Sequence, residues 1–348
     1  MPPMPPGYMP GMYMPPMMPY PPPRQRGFWR SVFTSLGVTI FLGSIMLNFW
    51  LLAFSGLGSL GDAAPVEVVQ KPGNAQEKIV ILPLSGIITD QTAKLMNRWI
   101  ARVEDDANVK AVVLAVDSPG GGVTASDQIH HRISELRSKR GIPIVVAMGG
   151  LAASGGYYVS CHADQIFAEE TTLTGSIGVM MPNYNLSDLA QRIGVADRTL
   201  TAPREGFKNA GSMLAPEVPR EREYLQGIID TAYARFTDLV KTGRKGRLKG
   251  SESAIFDGRI FSAREALGNG LVDQIGYQED AVKWAAQQAK LSKPMVVQYQ
   301  RRLSGLELLF SRVAAAPAGE GTRINIQIDA AALEELTTPR LMYLWRAP

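Results

Sequence analysis

Two hydrophobic periodicities alternate through the middle of the chain. Continuous apolar runs at Lys78–Leu84, Ala111–Val116, Pro143–Met148 and Ala163–Ala168 read as strands covered on both faces, as in a parallel sheet. Stretches with helical spacing lie among them. Over Gln91–Asp105 the residues Leu95, Met96, Trp99, Ile100 and Val103 fall on one side, and a second helix runs from a turn at 117–123 to about Lys139. Thr171–Met180 combines turn residues with a further strand, and Leu186–Ile193 is a short helix. Pro219 opens a long amphipathic helix with Leu225, Ile228, Ile229, Ala232, Phe236, Leu239 and Val240 on one face. Phe256–Phe261, a helix near Ala263–Leu267 and Gly270–Asp273 form another unit, and Gln278–Lys290 and Met295–Tyr299 add a helix and a strand. Strand and helix alternate throughout, which predicts an α/β fold with parallel strands and short crossovers.

The flanks have other patterns. Residues 1–23 are Met, Pro, Gly and Tyr without charge or periodicity, the composition of a disordered, partly polyproline tail. Ser31–Gly61 carries no charge, and Val38–Leu57 is dense in Ile, Leu, Phe and Trp, long enough to cross a hydrocarbon core of about 30 Å as a helix. Residues 62–77, with Pro65, Pro72 and Gly73, read as a linker. Beyond Arg301, residues 314–321 are linker-like, Ile324–Ile328 alternates like an exposed strand, and Leu341–Trp345 is an apolar patch expected to dock on the body or on a neighbouring subunit.

Charge sharpens the membrane reading. Arg24, Arg26 and Arg30 precede the apolar span, Asp62 and Glu67 follow it, and the 33 basic and 32 acidic residues beyond Gly61 nearly cancel. The positive-inside rule then places the tail in the cytoplasm and everything after Asp62 across the membrane; a cleaved leader is the alternative, and either leaves the body extracytoplasmic. A neutral body gives no argument for nucleic acid. The single cysteine, Cys161, excludes an internal disulfide framework, and three histidines without acidic spacing give no zinc signature, so no metal and no cofactor is expected. Arg244–Lys249 reads as a solvated basic loop.

Two glycine turns follow the strands. After Ala111–Val116 comes Asp117-Ser-Pro-Gly-Gly-Gly-Val123, which lacks the Gly-Lys-Ser/Thr ending of a P-loop and the spaced glycines of a dinucleotide fingerprint. What remains are backbone N–H groups suited to an anion or a transient oxyanion. After Pro143–Met148 comes Gly149-Gly-Leu-Ala-Ala-Ser154-Gly-Gly-Tyr-Tyr158, where small residues let another backbone approach. A serine delivered there suits a nucleophile, and equally a helix cap. His130 and His131 sit inside a helix, pointing in different directions, and neither resembles a loop-borne triad base. A lysine kept neutral by desolvation is the other activator of a serine, and Lys208, beside Phe207 in the polar stretch 201–221, suits that role. These residues alone do not establish the pairing.

The motifs Asp117-Ser-Pro-Gly-Gly-Gly-Val, Met148-Gly-Gly-Leu-Ala-Ala-Ser-Gly-Gly-Tyr-Tyr and Leu173-Thr-Gly-Ser-Ile-Gly-Val occur in the order found in the signal peptide peptidase A family. Phe207-Lys-Asn-Ala-Gly-Ser and Phe256-Asp-Gly-Arg-Ile-Phe…Ala-Leu-Gly-Asn-Gly-Leu-Val-Asp resemble it too, over about Lys78 to Gln288. The resemblance is to the short form of these membrane-anchored Ser-Lys peptidases. It implies a Clp protease/crotonase-like fold of repeated ββα units, preceded by one transmembrane helix. By position it implies Ser154 as nucleophile, Lys208 as general base, Ser176 as the serine orienting that lysine, and oxyanion N–H groups from Gly120 or Gly121 and from Gly155. It further implies peptide substrates such as signal-peptide remnants, a homo-oligomer with sites near subunit boundaries, and a place in the inner membrane. The expected organisation is a tail over 1–30, a membrane helix over 31–61, a linker over 62–77, a peptidase domain over 78–300 and an extension over 301–348. A crotonase-like acyl-thioester enzyme and a non-catalytic scaffold of the same fold are the alternatives.

Overall fold

The computed structural model describes residues 26–60, 65–204, 206–301 and 341–345, in two units that divide at Ala63/Ala64. The first contains α1 (Arg26–Leu60), within which the 19 residues Val32–Trp50, of mean hydropathy 1.8, are long and apolar enough to cross a membrane. Most of the expected Met/Pro tail, the linker-like 314–321 and the strand at Ile324–Ile328 lie outside the described residues.

The second unit is built on a sheet whose central strands are those read from the apolar runs. These are β2 (Asn74–Ser85), β3 (Val109–Ser118), β5 (Ile144–Ala153) and β6 (Gln165–Ala168), each parallel to the next. β9 (Gln274–Ile275) continues beside β6, while β10 (Pro294–Gln300) lies parallel to β2 on the other side. Residues on opposite pleats enter two separate cores, which is why these runs are apolar without alternation. Val80, Leu82, Val112, Leu114, Val146 and Met148 pack with α2 (Asp90–Asp105) and α3 (Val123–Arg140). Ile79, Ile81, Val113, Val145 and Ala147 face Ala281 and Ala285 of α9 (Gln278–Gln288). Ala93, Met96, Trp99, Ile100 and Val103 are the buried stripe of α2, so the helical period read there sets the packing face.

Three expectations need correction. Residues 66–71 of the supposed linker form β1 (Val66–Lys71), antiparallel to β10, because that strand's open edge leaves backbone groups to pair. Of Thr171–Met180 only β7 (Leu173–Gly175) is strand, and of Phe256–Phe261 only its end enters β8 (Ile260–Ser262); the two pair antiparallel beside β5. Arg244–Lys249 is not a wholly solvated loop. Arg244, at the end of α6 (Pro219–Gly243), is fully buried, bonding Asp273 through Nη1 (2.9 Å) and Nη2 (2.6 Å) and the Gly270 carbonyl through Nε (3.0 Å). Asp273 Oδ2 also accepts the Ile166 N–H at 2.8 Å, so the pair ties α6 to β6. A partner 29 residues away is what makes a buried guanidinium tolerable.

Candidate active site

β5 and β7 run parallel with Ala153 opposite Gly175, which places the next residues, Ser154 and Ser176, side by side at the strand ends. The Ser154 N–H donates to the Gly175 carbonyl at 2.7 Å, and the Ser154 carbonyl accepts the Tyr158 N–H at 2.8 Å, opening the short α4 (Gly155–Ser160). This clamp holds Ser154 at φ 52°, ψ −113°, and Ser176 at φ 49° with its N–H on the Arg259 carbonyl at 2.7 Å. Positive φ costs a non-glycine residue on the order of 1–3 kcal/mol and persists only where the surroundings impose it, most often at functional sites. Both serines are buried.

The other glycine turn meets them. β4 (Gly120–Gly122) follows β3 and is held on one edge by Ile88, whose N–H donates to Gly120 O and whose carbonyl accepts the Gly122 N–H, both at 2.8 Å. Gly121 therefore directs its N–H and carbonyl to the opposite edge. The Gly120 N–H is engaged by Ser118 Oγ at 3.1 Å, and that hydroxyl donates to Gly86 O at 2.6 Å. Of the two glycines, Gly121 thus has the N–H directed away from these internal bonds. A Cβ on Gly120, at φ 99°, would stand 2.6 Å from Gly155 N, and a Cβ on Gly155 would stand 2.6 Å from Ser126 Oγ, so close approach is what requires glycine at both.

Lys208 is placed differently. It is exposed on the loop before α6, and among the described residues no hydrogen bond or ion pair joins it to Ser154 or Ser176. Its neighbour Phe207 is fixed, stacked on Tyr224 at 4.5 Å with the Arg220 guanidinium 4.4 Å from its ring. The single chain brings together Ser154, Ser176, Gly120, Gly121 and Gly155, and does not join Lys208 to them.

None of the three histidines hydrogen-bonds to Ser154 among the described residues. His130 and His131 do point apart: His131 is exposed beside Glu135, whereas His130 is half-buried with Nε2 3.1 Å from His162 Nδ1. Burial pushes His130 down to about 4, with the neighbouring His162 acting in the same direction and Asp127 opposing. His162 is lowered as well, by burial and by Arg137. An unfolded histidine binds its proton near pH 6.5, so the unfolded state gains protons first as pH falls. This one group is expected to cost about 3 kcal/mol of stability between pH 6.5 and about 4, and nothing above that window. Denaturant unfolding of the wild type and of His130→Gln measures it; the variant should lose part of the acid-side slope, and equal slopes would refute the assignment.

Sequence reading missed the roles of Ser118, Ser126 and Tyr158. Ser118 was visible in the Asp-Ser-Pro-Gly-Gly motif, but its bond to Gly86, 32 residues away, was not. Tyr158 is fully buried and donates to Asp127 Oδ1 at 2.6 Å, an acceptor that also holds Arg235 Nη2 at 2.6 Å.

The model of Peptidase family S49 matches residues 136–292, and that of Clp protease matches residues 70–172. A putative signal peptide peptidase SppA of Enterococcus faecium is 36% identical over 70% of this chain and 73% of its own. A putative protease of Methanocaldococcus jannaschii is 40% identical over 57% and 62%, respectively. Protease 4 of Haemophilus influenzae is 34% identical over 79% of this chain and 45% of its own length. With its parallel sheet, Clp protease-like domain and ordered glycine motifs, the chain belongs to the SppA and Protease 4 family of S49 peptidases and is a serine protease.

Proposed function

We propose that the protein is a membrane-tethered endopeptidase in which Ser154 attacks the peptide carbonyl, forming an acyl-enzyme that water then hydrolyses. The observation that carries this is the juxtaposition at Ser154: a buried serine at positive φ, beside Ser176 and beside the Gly120–Gly155 contact. The N–H groups of Gly121 and Gly155 stabilise the oxyanion that forms as the carbonyl becomes tetrahedral. Lys208 takes the Ser154 proton and returns it to the leaving amine, and Ser176 orients the lysine amine. A lysine serves as base only when neutral, a form that desolvation favours.

Because Lys208 is exposed in the single chain, we assign it to the serine of a neighbouring copy in a homo-oligomer. The exposed apolar residues Tyr184, Leu186, Leu189, Leu214 and Tyr224 on and around the same loop support burial of that region between copies. The apolar span of α1 anchors the chain, with the arginines at its start on the cytoplasmic side and the protease outside. Such an anchor suits short hydrophobic peptides left in or beside the bilayer, including signal-peptide remnants.

Reaction with a fluorophosphonate tests the nucleophile. The detergent-solubilised protein is expected to gain one adduct, mapped by mass spectrometry to Ser154. A protein that hydrolyses peptides yet carries the adduct elsewhere, or none, overturns the assignment.

A further inference from the structure

Ser118 ends β3 where three backbone segments of the candidate site meet. It is fully buried and lies opposite Ala152 of β5, two residues ahead of Ser154. Its Oγ donates to the Gly86 carbonyl at 2.6 Å and accepts the Gly120 N–H at 3.1 Å. A carbonyl only accepts and an amide N–H only donates, so the single hydroxyl proton is committed to Gly86 and the oxygen to Gly120. Both residues it ties together are glycines at positive φ, 73° for Gly86 and 99° for Gly120. Ser118 also meets the nucleophile's helix. A Cβ on Gly156, the second residue of α4, would stand 2.9 Å from the Ser118 carbonyl oxygen and 3.5 Å from its Cβ.

The neighbouring bonds complete a small lattice. The Gly86 N–H donates to the Asp117 carbonyl at 2.9 Å, and Ile88 holds Gly120 and Gly122 from the same edge. Those bonds run from backbone to backbone, and the Ser118 hydroxyl is the side-chain group that joins the Gly86 turn to the Gly120 turn. No hydrogen bond links Ser118 Oγ to Ser154 among the described residues, so any effect on catalysis must pass through the glycine turn.

We infer that Ser118 is a positioning residue for the oxyanion site: by engaging the Gly120 N–H, its hydroxyl fixes the turn so that the Gly121 N–H faces the developing oxyanion. This deepens the peptidase reading and rests on it. Without the hydroxyl, a buried N–H and a buried carbonyl each lose a partner, a state that folded chains relieve by shifting. The residues best able to shift are the glycines of the turn, whose backbone is the least restricted. Rotation there swings the Gly121 N–H off its line. The loss falls on the transition state, because the uncharged carbonyl of a bound peptide depends far less on that donor.

The test uses the full-length protein in detergent, a fluorogenic Leu-Leu-Leu amide as substrate, and two probes, the Leu-Leu-Leu aldehyde and the matching alcohol. Ser154 Oγ adds to the aldehyde carbon, its proton passing to the base, and the former carbonyl oxygen occupies the oxyanion position; the alcohol binds without such an oxygen. Removing one oxyanion donor costs about 10²–10³-fold in kcat, so a donor displaced by Ser118→Ala should cost about 10–10²-fold, with KM nearly unchanged. Affinity for the aldehyde should fall by the same factor, while affinity for the alcohol stays within about twofold. The pH–rate profile should keep its shape, since Ser118 has no proton that titrates in the working range. Ser118→Cys, with a weak thiol donor in the same place, should show the same split at smaller size, and it serves if the alanine variant does not fold. Ser160→Ala is the comparison: it removes another buried hydroxyl, bonded to the Gly156 carbonyl at 2.7 Å, without touching the glycine turn, and should leave kcat unchanged. Unchanged kcat at residue 118, equal losses for aldehyde and alcohol, or an equal fall in Ser160→Ala would overturn the proposal, while fluorophosphonate labelling of Ser154 leaves the peptidase reading intact. A wild type that neither hydrolyses peptides nor labels would overturn both.

Discussion

Ser154→Ala and Lys208→Ala are each expected to lower kcat for peptide hydrolysis by about 10⁴-fold or more, because nucleophile and base act as one unit and removing either removes the covalent route. The informative measurement is of the two together. If Lys208 serves the neighbour's serine, oligomers assembled from both inactive variants contain junctions where an intact Ser154 meets an intact Lys208. Co-refolding or co-expression should restore a substantial part of the wild-type rate. If the dyad forms within one chain, every mixed oligomer stays inactive. Lys208→Arg should behave as Lys208→Ala, since guanidinium keeps its proton at any working pH. An active lysine variant would remove Lys208 from the mechanism while leaving the serine in place.

The next largest effect is expected at Gly120. Alanine there would be strained at φ 99°, and its Cβ would stand 1.9 Å from the Tyr343 carbonyl and 2.6 Å from Gly155 N, both backbone atoms that cannot rotate away. Relief requires β4 to shift, which withdraws the neighbouring Gly121 N–H from the developing oxyanion. Loss of one such donor costs about 10²–10³-fold in kcat. Stopped-time hydrolysis assays at saturating peptide should show that fall, with KM changing less. Gly268→Ala provides the comparison: a Cβ in α8 (Ala263–Asn269) meets nothing within 4 Å, and activity should be unchanged. Equal rates for Gly120→Ala and Gly268→Ala would remove the glycine turn from the oxyanion role.

The central sheet was legible because local and global signals agree there. Doubly covered strands must be apolar at every position, and α2 must carry its stripe at helical spacing, so the runs at Ile79–Leu84 and Ala111–Val116 announced both period and burial. The candidate residues were legible for a related reason. Backbones that approach closely admit only glycine, and Gly120, Gly121 and Gly155 stand in short glycine-rich motifs that mark such crossings.

Non-local pairing was not legible. Arg244 looked like part of a solvated run because Asp273 and Gly270, which make its burial tolerable, are distant in sequence. Val66–Lys71 looked like a connector because a strand at the sheet edge is recognised by its partner β10 more than by its own composition. Leu341–Trp345 showed only an apolar patch.

The sequence by itself therefore determined the α/β class, the apolar N-terminal span, the family and the candidate serine, since periodicity, hydropathy and glycine motifs are properties of short stretches. Only the tertiary structure decided that Ser154 stands beside Ser176, that Lys208 is exposed in the single chain, and that Tyr343 lies across the glycine turn. Each of those is a contact between distant segments, fixed by strand register and packing, which no local pattern encodes.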